Sequence, residues 1–331
     1  MPEFDLIDKY FKPLAKDEAA LGLLDDASIL NPRPGHSLVL CKDMMVEGVH
    51  YDQNTPVDLL AKKLLRVNLS DLAAMGASPL GYLLGISLPK TFSQAEVEQW
   101  LAEFTKGLLQ DQEKYEVSLF GGDTVSVDGE AVLSLTMIGE VPIGQAIKRT
   151  TAEVGDIVLV TGCLGDAALA LNIAKHGWQI EPSQKQYLFD RLYLPTPRLE
   201  AGAELRGIAT SAVDVSDGLL ADLAHIADGS KVAVDVSLHK LPLSNAAKLC
   251  LASEKNPLDN FWPQIYGGGD DYELVVTIPP AKLAGIIEKF ANIGLALTEI
   301  GVVKQGLGVN LLDDDHNKIP VQKCGYEHFN G

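Results

Sequence analysis

The residues of this chain best suited to chemistry are carboxylates set beside glycines or at the ends of apolar runs. Asp25 and Asp26 lie in GLLDDAS, Asp43 in CKDMMVEGVH, Asp71 in VNLSDLAAMGA and Asp123 in GGDT. Asp214 and Asp217 lie in DVSDGL, and Asp270 and Asp271 in GGGDDYEL. Taken singly, such an Asp is a helix cap or turn residue more often than a ligand. Several in one chain, each against a strand or helix, point to a shared task. That task suits hard cations, because magnesium prefers oxygen ligands and bridges a few carboxylates to substrate phosphates. Bringing two phosphorylated molecules together costs about 4 kcal/mol for each pair of like unit charges ~4 Å apart at an effective dielectric of ~20. Metal ions held by aspartates offset that repulsion. A phosphate nucleophile is already ionised and needs no general base, so positioning and charge neutralisation carry such a reaction.

Other chemistries find no support. The chain has no GxxxxGK[ST] phosphate loop, no protein-kinase catalytic loop, no HExxH, no GxSxG and no dinucleotide fingerprint. Its seven histidines (36, 50, 176, 225, 239, 316 and 328) show no metal-ligand spacing. Cys41, Cys163, Cys250 and Cys324 form no CxxC pair, which argues against a zinc site or disulfide framework and for a reducing compartment.

The elements that position the carboxylates follow from periodicity and punctuation. A strand-like run covers Ser37–Cys41, and Pro56 opens a helix to about Gly76 with Leu60, Leu64 and Leu65 on one stripe. Leu80–Pro89 reads as a buried strand, and Ser93 with Glu96 forms a capping box starting a helix to about Gln110. Val117–Phe120 and Ala131–Val141 read as an antiparallel pair around a turn-rich GGDTVSVDGE. A strand (Ile157–Thr161), a glycine loop (Gly162–Gly165) and a helix (Asp166–His176) follow. A strand-to-helix transition at SAVDVSDGLLADL comes next, then a strand after GGGDDYELVV, a helix opened by Pro279–Pro280 and the strand Leu297–Val303. The glycine loop reads as an ordinary βα turn, since Asp166 would repel a phosphate there, and Asp313–Asp315 as a hairpin tip. The pattern is α/β in both halves, with a boundary near Gly144–Asp156.

The 331 residues, 47% hydrophobic and 22% charged, suffice for about two domains. A net charge of −18 argues against nucleic acid and against anionic membrane as partners. The N-terminus has no secretory pattern and no apolar run is long enough for a bilayer, so the expectation is a cytoplasmic protein.

The ordered series DDAS (25–28), KDMMVEGVHY (42–51), VNLSDLAAMGASP (67–79), GGDT (121–124), GDIVLVTGCLGDAA (155–168), DVSDGLLADL (214–223), GGDDYEL (268–274) and GYEHF (325–329) resembles bacterial thiamine-monophosphate kinases. The resemblance implies mixed α/β sheets in a fold shared with aminoimidazole ribonucleotide and selenophosphate synthetases. It implies residues 1–145 as an ATP/Mg-binding domain whose sheet pairs across a homodimer into a barrel, and 146–331 as a C-terminal α/β domain completing the active site. It further implies ATP as donor, thiamine monophosphate as acceptor, several Mg2+ ions and direct in-line transfer. Carried over, Asp26, Asp43, Asp71, Asp123, Asp214 and Asp217 match metal-binding aspartates. Gly122, Asp123, Arg149 and Ser216 match ATP contacts, while His50 and Asp270 match the substrate side.

Three departures stand out. Leu24 precedes Asp25–Asp26 where the family often has Gly, and Asp270 stands where it more commonly has Glu. Cys41–Lys42 replace a pair of hydroxyl residues, and a protonated Lys is no magnesium ligand. Lys42 either substitutes its ammonium for one metal's charge or turns to solvent or a neighbouring carboxylate. The alternatives to a thiamine-phosphate kinase are another ATP-using enzyme of the same superfamily and a nucleotide-binding regulator without turnover. The retained aspartates favour the active enzyme.

Overall fold

The structure is a computed structural model describing residues 3–176, 180–321 and 325–326. The chain forms two compact units, one of Met1–Leu72 with Ala77–Gly144 and one of Ala73–Gly76 with Gln145–Gly331.

The first unit opens with helix α1 (Glu3–Leu6) and short π and 3₁₀ turns to Leu23. A four-stranded mixed sheet follows, made by β1 (His36–Val46), β2 (Ser78–Pro89), β3 (Ser118–Val127) and β4 (Val132–Pro142) in the order β1-β4-β2-β3. β4 runs antiparallel to β1 and β2, and β3 parallel to β2. Helices α2 (Val57–Ala74) and α3 (Gln94–Tyr115) cross closely at Gly107, where a Cβ would overlap the backbone of Asp58. Leu60, Leu64 and Leu65 are buried as their spacing predicts. The Arg66 guanidinium on α2 grips Asp111 on α3 bidentately, Nε to Oδ2 at 2.6 Å and Nη2 to Oδ1 at 2.9 Å, and both residues are buried. Both hydrogen bonds of the predicted Ser93–Glu96 capping box are present. The helix they start runs five residues past the expected end at Gln110, to Tyr115, because helix-forming residues continue until left-handed Glu116.

Two sequence expectations need correction here. The predicted strand Ser37–Cys41 is an eleven-residue strand running through Lys42, Asp43, Met44 and Met45. Lys42 is tolerated there because its face of the strand is open, as alternation allows. GGDTVSV is strand rather than turn, and β3 and β4 are not paired, since β4 inserts between β1 and β2. The glycine that suggested a turn marks close strand approach instead: a Cβ on Gly122 would overlap the carbonyl oxygen of Leu84.

The second unit holds a six-stranded mixed sheet of β5 (Ile157–Thr161), β6 (Ser211–Asp214), β7 (Ala233–Ser237), β8 (Leu274–Ile278), β9 (Leu297–Lys304) and β10 (Gly308–Leu312). Its order is β10-β7-β9-β5-β8-β6, parallel only between β7 and β10. The strand expected after GGGDDYELVV starts inside it, at Leu274. One face packs Val158, Val160, Val213 and Val275 against α4 (Asp166–His176), α5 (Pro182–Tyr193), α7 (Leu219–Ser230), α8 (Asn245–Ser253) and α10 (Trp262–Gly267). The short α9 (Pro257–Asn260) leads into α10. The opposite face packs Leu159, Ala212, Leu274 and Val276 against α6 (Leu199–Leu205) and α11 (Leu283–Asn292). Burial on both faces explains why β5 and β8 read as almost unbroken apolar runs. Among the described residues no helix is long and apolar enough to cross a membrane. Gly325 and Tyr326 of the GYEHF motif are described, and Glu327, His328 and Phe329 lie outside the described residues.

Candidate functional site

In the first unit β1 is an edge strand, and Asn68 of α2 occupies its exposed backbone. The Asn68 Oδ1 accepts the Asp43 N–H at 3.1 Å, its Nδ2 donates to the Leu64 carbonyl at 2.9 Å, and the Cys41 thiol donates to the Asn68 carbonyl at 3.3 Å. Cys41 and Asp43 therefore share the face of β1 turned to α2. Asp71 lies three residues after Asn68 on that helix, so it flanks the same turn, and it is half-buried. Lys42 points to the other face, where its ammonium hydrogen-bonds the Ser134 hydroxyl of β4. Adjacent in sequence, Lys42 and Asp43 are separated by strand alternation.

Asp123 is exposed on β3, in register with Gly85 of β2. Asp26 is exposed in the irregular segment before β1. His50 sits in the turn that ends β1, its Nδ1 accepting the Val46 N–H at 3.1 Å, which leaves the ring proton on Nε2. Because Gly122 has no room for a Cβ, Gly122→Ala is expected to destabilise the chain by about 1–3 kcal/mol. Denaturant unfolding measures this; an unchanged midpoint would reserve the glycine for a ligand alone.

In the second unit the DVSDG segment leaves β6 and turns into α7. Asp214 is buried, whereas Ser216 and Asp217 are half-buried. Asp222, a turn into α7, was not singled out from sequence. Its Oδ2 accepts the N–H groups of Ser216, Asp217 and Gly218 at 3.0, 3.2 and 3.1 Å. Burial, followed by the charges of Asp214 and Asp217, pushes the Asp222 carboxyl up to about 8. The sequence signal was its place four residues after Gly218 at a helix start.

The GGGDDYE loop lies against this turn. Asp270 N–H donates to the Ser216 carbonyl at 2.9 Å, Tyr272 N–H to Val215 at 2.8 Å, and Val215 N–H to Glu273 at 2.8 Å. Asp270 and Tyr272 both have left-handed backbone, at φ 70° and 51°, and the Tyr272 hydroxyl donates to Asp270 Oδ1 at 3.2 Å. Beneath the loop, buried Glu273 accepts from Thr161 Oγ1 (2.7 Å), Arg191 Nη2 (2.9 Å), Arg198 Nε (2.7 Å) and Arg198 Nη2 (2.5 Å). Asp166 accepts from the Ser244 and Tyr187 hydroxyls at 2.5 and 3.1 Å, and burial raises its carboxyl. The glycine loop before α4 is occupied internally, as Gly165 N–H donates to Asp271 Oδ2 at 2.7 Å. Arg149 is exposed in an irregular segment, and its guanidinium makes no ion pair among the described residues.

Asp271 is fully buried, and its Oδ1 has no hydrogen-bond partner among the described residues. Burial holds its carboxyl well above the usual range, opposed by the Gly165 N–H and Arg191. A carboxyl raised in the folded state binds its proton more tightly there than in the unfolded chain. Its contribution to stability is therefore complete below the unfolded value of about 3.9 and declines as pH rises from there toward the folded value. Asp271→Asn keeps an oxygen for Gly165 and carries no charge, so its stability relative to the parent should increase as pH is raised. Urea midpoints of both chains at pH 5 and pH 8 test this; a pH-independent difference would refute it.

Among the described residues, no group of three or more His, Cys, Asp and Glu side chains is arranged to hold a metal ion. The candidate donors are nevertheless all carboxylate oxygens, and magnesium commonly takes one or two of these and completes its shell with phosphates and water. The residues fit an ion that arrives with a nucleotide.

Residues 24–141 match the family model of the AIR synthase related protein N-terminal domain, and residues 153–314 that of the C-terminal domain. A thiamine-monophosphate kinase of Caulobacter vibrioides is 40% identical over 98% of this chain and 90% of its own. The crystal structure of thiamine-monophosphate kinase from Stenotrophomonas maltophilia superposes with a TM-score of 0.83 at 38% identity, covering 96% of this chain and 98% of that one. The structure of AaThiL complexed with AMPPCP and TMP superposes with a TM-score of 0.77 at 29% identity, over 99% and 97%.

Proposed function

Since the chain belongs to the thiamine-monophosphate kinase family of AIR synthase related proteins, we propose that it transfers the γ-phosphoryl group of ATP to the phosphate of thiamine monophosphate, giving thiamine diphosphate and ADP. The observation that carries this reading is the full-length similarity to a protein seen with AMPPCP and TMP. The acceptor phosphate is its own nucleophile, so the chain has to align two anions and cancel their charge.

Several magnesium ions would supply that cancellation; Asp26, Asp43, Asp71 and Asp123 are assigned to them in the first unit, and, separately, Asp214 and Asp217 in the second. The oxygen-only donor set supports this assignment. Arg149, an exposed cation in a chain of net charge −18, is assigned to the nucleotide phosphates together with Gly122, Asp123 and Ser216. His50 offers an Nε2–H, and Asp270 a carboxylate oriented by Tyr272, to thiamine monophosphate. The chain acts as a homodimer, a reading supported by exposed Leu38, Leu40, Met44 and Leu83 on one face of the first unit's sheet. Four cysteines with no CxxC pair support a cytoplasmic, reducing setting.

The test is chromatographic detection of thiamine diphosphate after incubation with thiamine monophosphate, ATP and magnesium. Product sustains the reading. A folded chain that binds ATP and forms none would move it to another ATP-using enzyme of the superfamily.

A further inference from the structure

The start of α7 has the form of an anion site, three consecutive N–H groups converging at a helix N-terminus. The chain fills it with a side-chain oxygen of its own. Asp222 Oδ2 takes the N–H groups of Ser216, Asp217 and Gly218 within 3.2 Å, and the residue is 2% exposed. The carbonyls on the other side of the turn are also engaged: Ser216 accepts from Asp270 N–H at 2.9 Å and Asp217 from Tyr326 N–H at 3.0 Å. Gly218 stands at φ 132°, and a Cβ there would lie 2.9 Å from the Gly267 carbonyl carbon. With the amides of Ser216, Asp217 and Gly218 and the carbonyls of Ser216 and Asp217 used internally, the stretch leading into α7 has its side chains to offer a ligand. Those side chains are the carboxylates of Asp214 and Asp217 and the hydroxyl of Ser216.

We propose that Asp222 is a positioning residue that decides the sign of what this turn binds. By occupying the helix N-terminus, it keeps phosphate off the backbone amides and holds the Asp214–Asp217 carboxylates ready for a cation carried by the nucleotide. The inference rests on reading Asp214 and Asp217 as magnesium-nucleotide residues. It adds that direct phosphate binding by the turn is prevented from within.

Calorimetric titration of the full chain with AMPPCP, with and without magnesium, tests this on the parent, Asp222→Ala, Asp222→Asn and Asp214→Asn, each first checked for a cooperative melt. In Asp222→Ala, affinity for the magnesium complex should fall ~10-fold or more, in the range seen when a partner orienting a metal ligand is removed. Inorganic phosphate should raise the melting temperature of Asp222→Ala more than that of the parent, because the three amides are vacant. Asp222→Asn retains an oxygen acceptor and should bind the magnesium complex within ~3-fold of the parent. A folded Asp222→Ala with parental affinity and a parental response to phosphate overturns the proposal. Should the Ala variant not fold, Asp222→Asn carries the test alone, and a ~10-fold or greater loss in it overturns the proposal by showing that charge rather than hydrogen bonding matters. Parental magnesium-dependent affinity in Asp214→Asn would instead overturn the underlying reading of the turn. Loss in Asp214→Asn beside an unaffected Asp222→Ala would remove the positioning role alone.

Discussion

An Asp71→Asn chain is expected to form thiamine diphosphate at least ~100-fold more slowly than the parent while unfolding at the same temperature. Asp71 is half-buried on α2, flanking the turn at which Asn68 takes the Asp43 N–H and the Cys41 thiol. That places two matched carboxylates, one from a helix and one from an edge strand, against the same backbone anchor. The amide is nearly isosteric, so packing is preserved and only the negative charge is lost. If Asp71 helps to hold magnesium, the loss should be largest at low magnesium and shrink as the ion is raised toward saturation. Initial rates across a magnesium series, with melting curves alongside, distinguish this from a folding defect. A rate within a few-fold of the parent at every magnesium concentration would remove Asp71 from the reaction.

Glu273→Ala is expected to produce the largest loss of stability, about 3–5 kcal/mol, the range for removing one partner of a buried ion pair. Glu273 is 1% exposed and accepts four hydrogen bonds, from Thr161, from Arg191 and twice from Arg198. Removing it strips Arg198 of the carboxylate it pairs with and leaves Arg191 the more distant Asp166, at 3.9 Å. For a unit of this size, such a loss corresponds to a drop of roughly 6–20 °C in melting temperature. The damage should spread, because the Glu273 carbonyl also takes the Val215 N–H beside Asp214. Glu273→Gln keeps acceptor geometry at one oxygen and should lose less than the Ala variant. Denaturant unfolding of the two variants measures this, and a loss below 1 kcal/mol in Glu273→Ala would show that the arginines find solvent without it.

Local elements were legible where one periodicity or one cap decides them. The helix opened by Pro56, the capping box at Ser93 and the buried strand Ile157–Thr161 depend on neighbours in sequence, and each is present. The carboxylates likewise stood out by residue type, because oxygen ligands beside glycine-rich turns suit hard cations wherever the chain carries them.

Strand order was not legible. A hairpin between β3 and β4 is the natural reading of two strands joined by a short link, yet β4 pairs with β1 and β2. Pairing is decided by which faces bury apolar area together, and this is a property of the whole sheet. The burial of Asp222, Asp271 and Glu273 was equally hidden, since each acquires its partners 4 to 112 residues away along the chain. Sequence by itself determined where oxygen donors stand beside glycines and apolar runs, because charge, donor type and local backbone preference belong to the residue. Only the tertiary structure decided which carboxylates are consumed in holding the turns, as Asp222 and Glu273 are. That outcome depends on burial and on long-range hydrogen bonds, which exist only once the chain has folded.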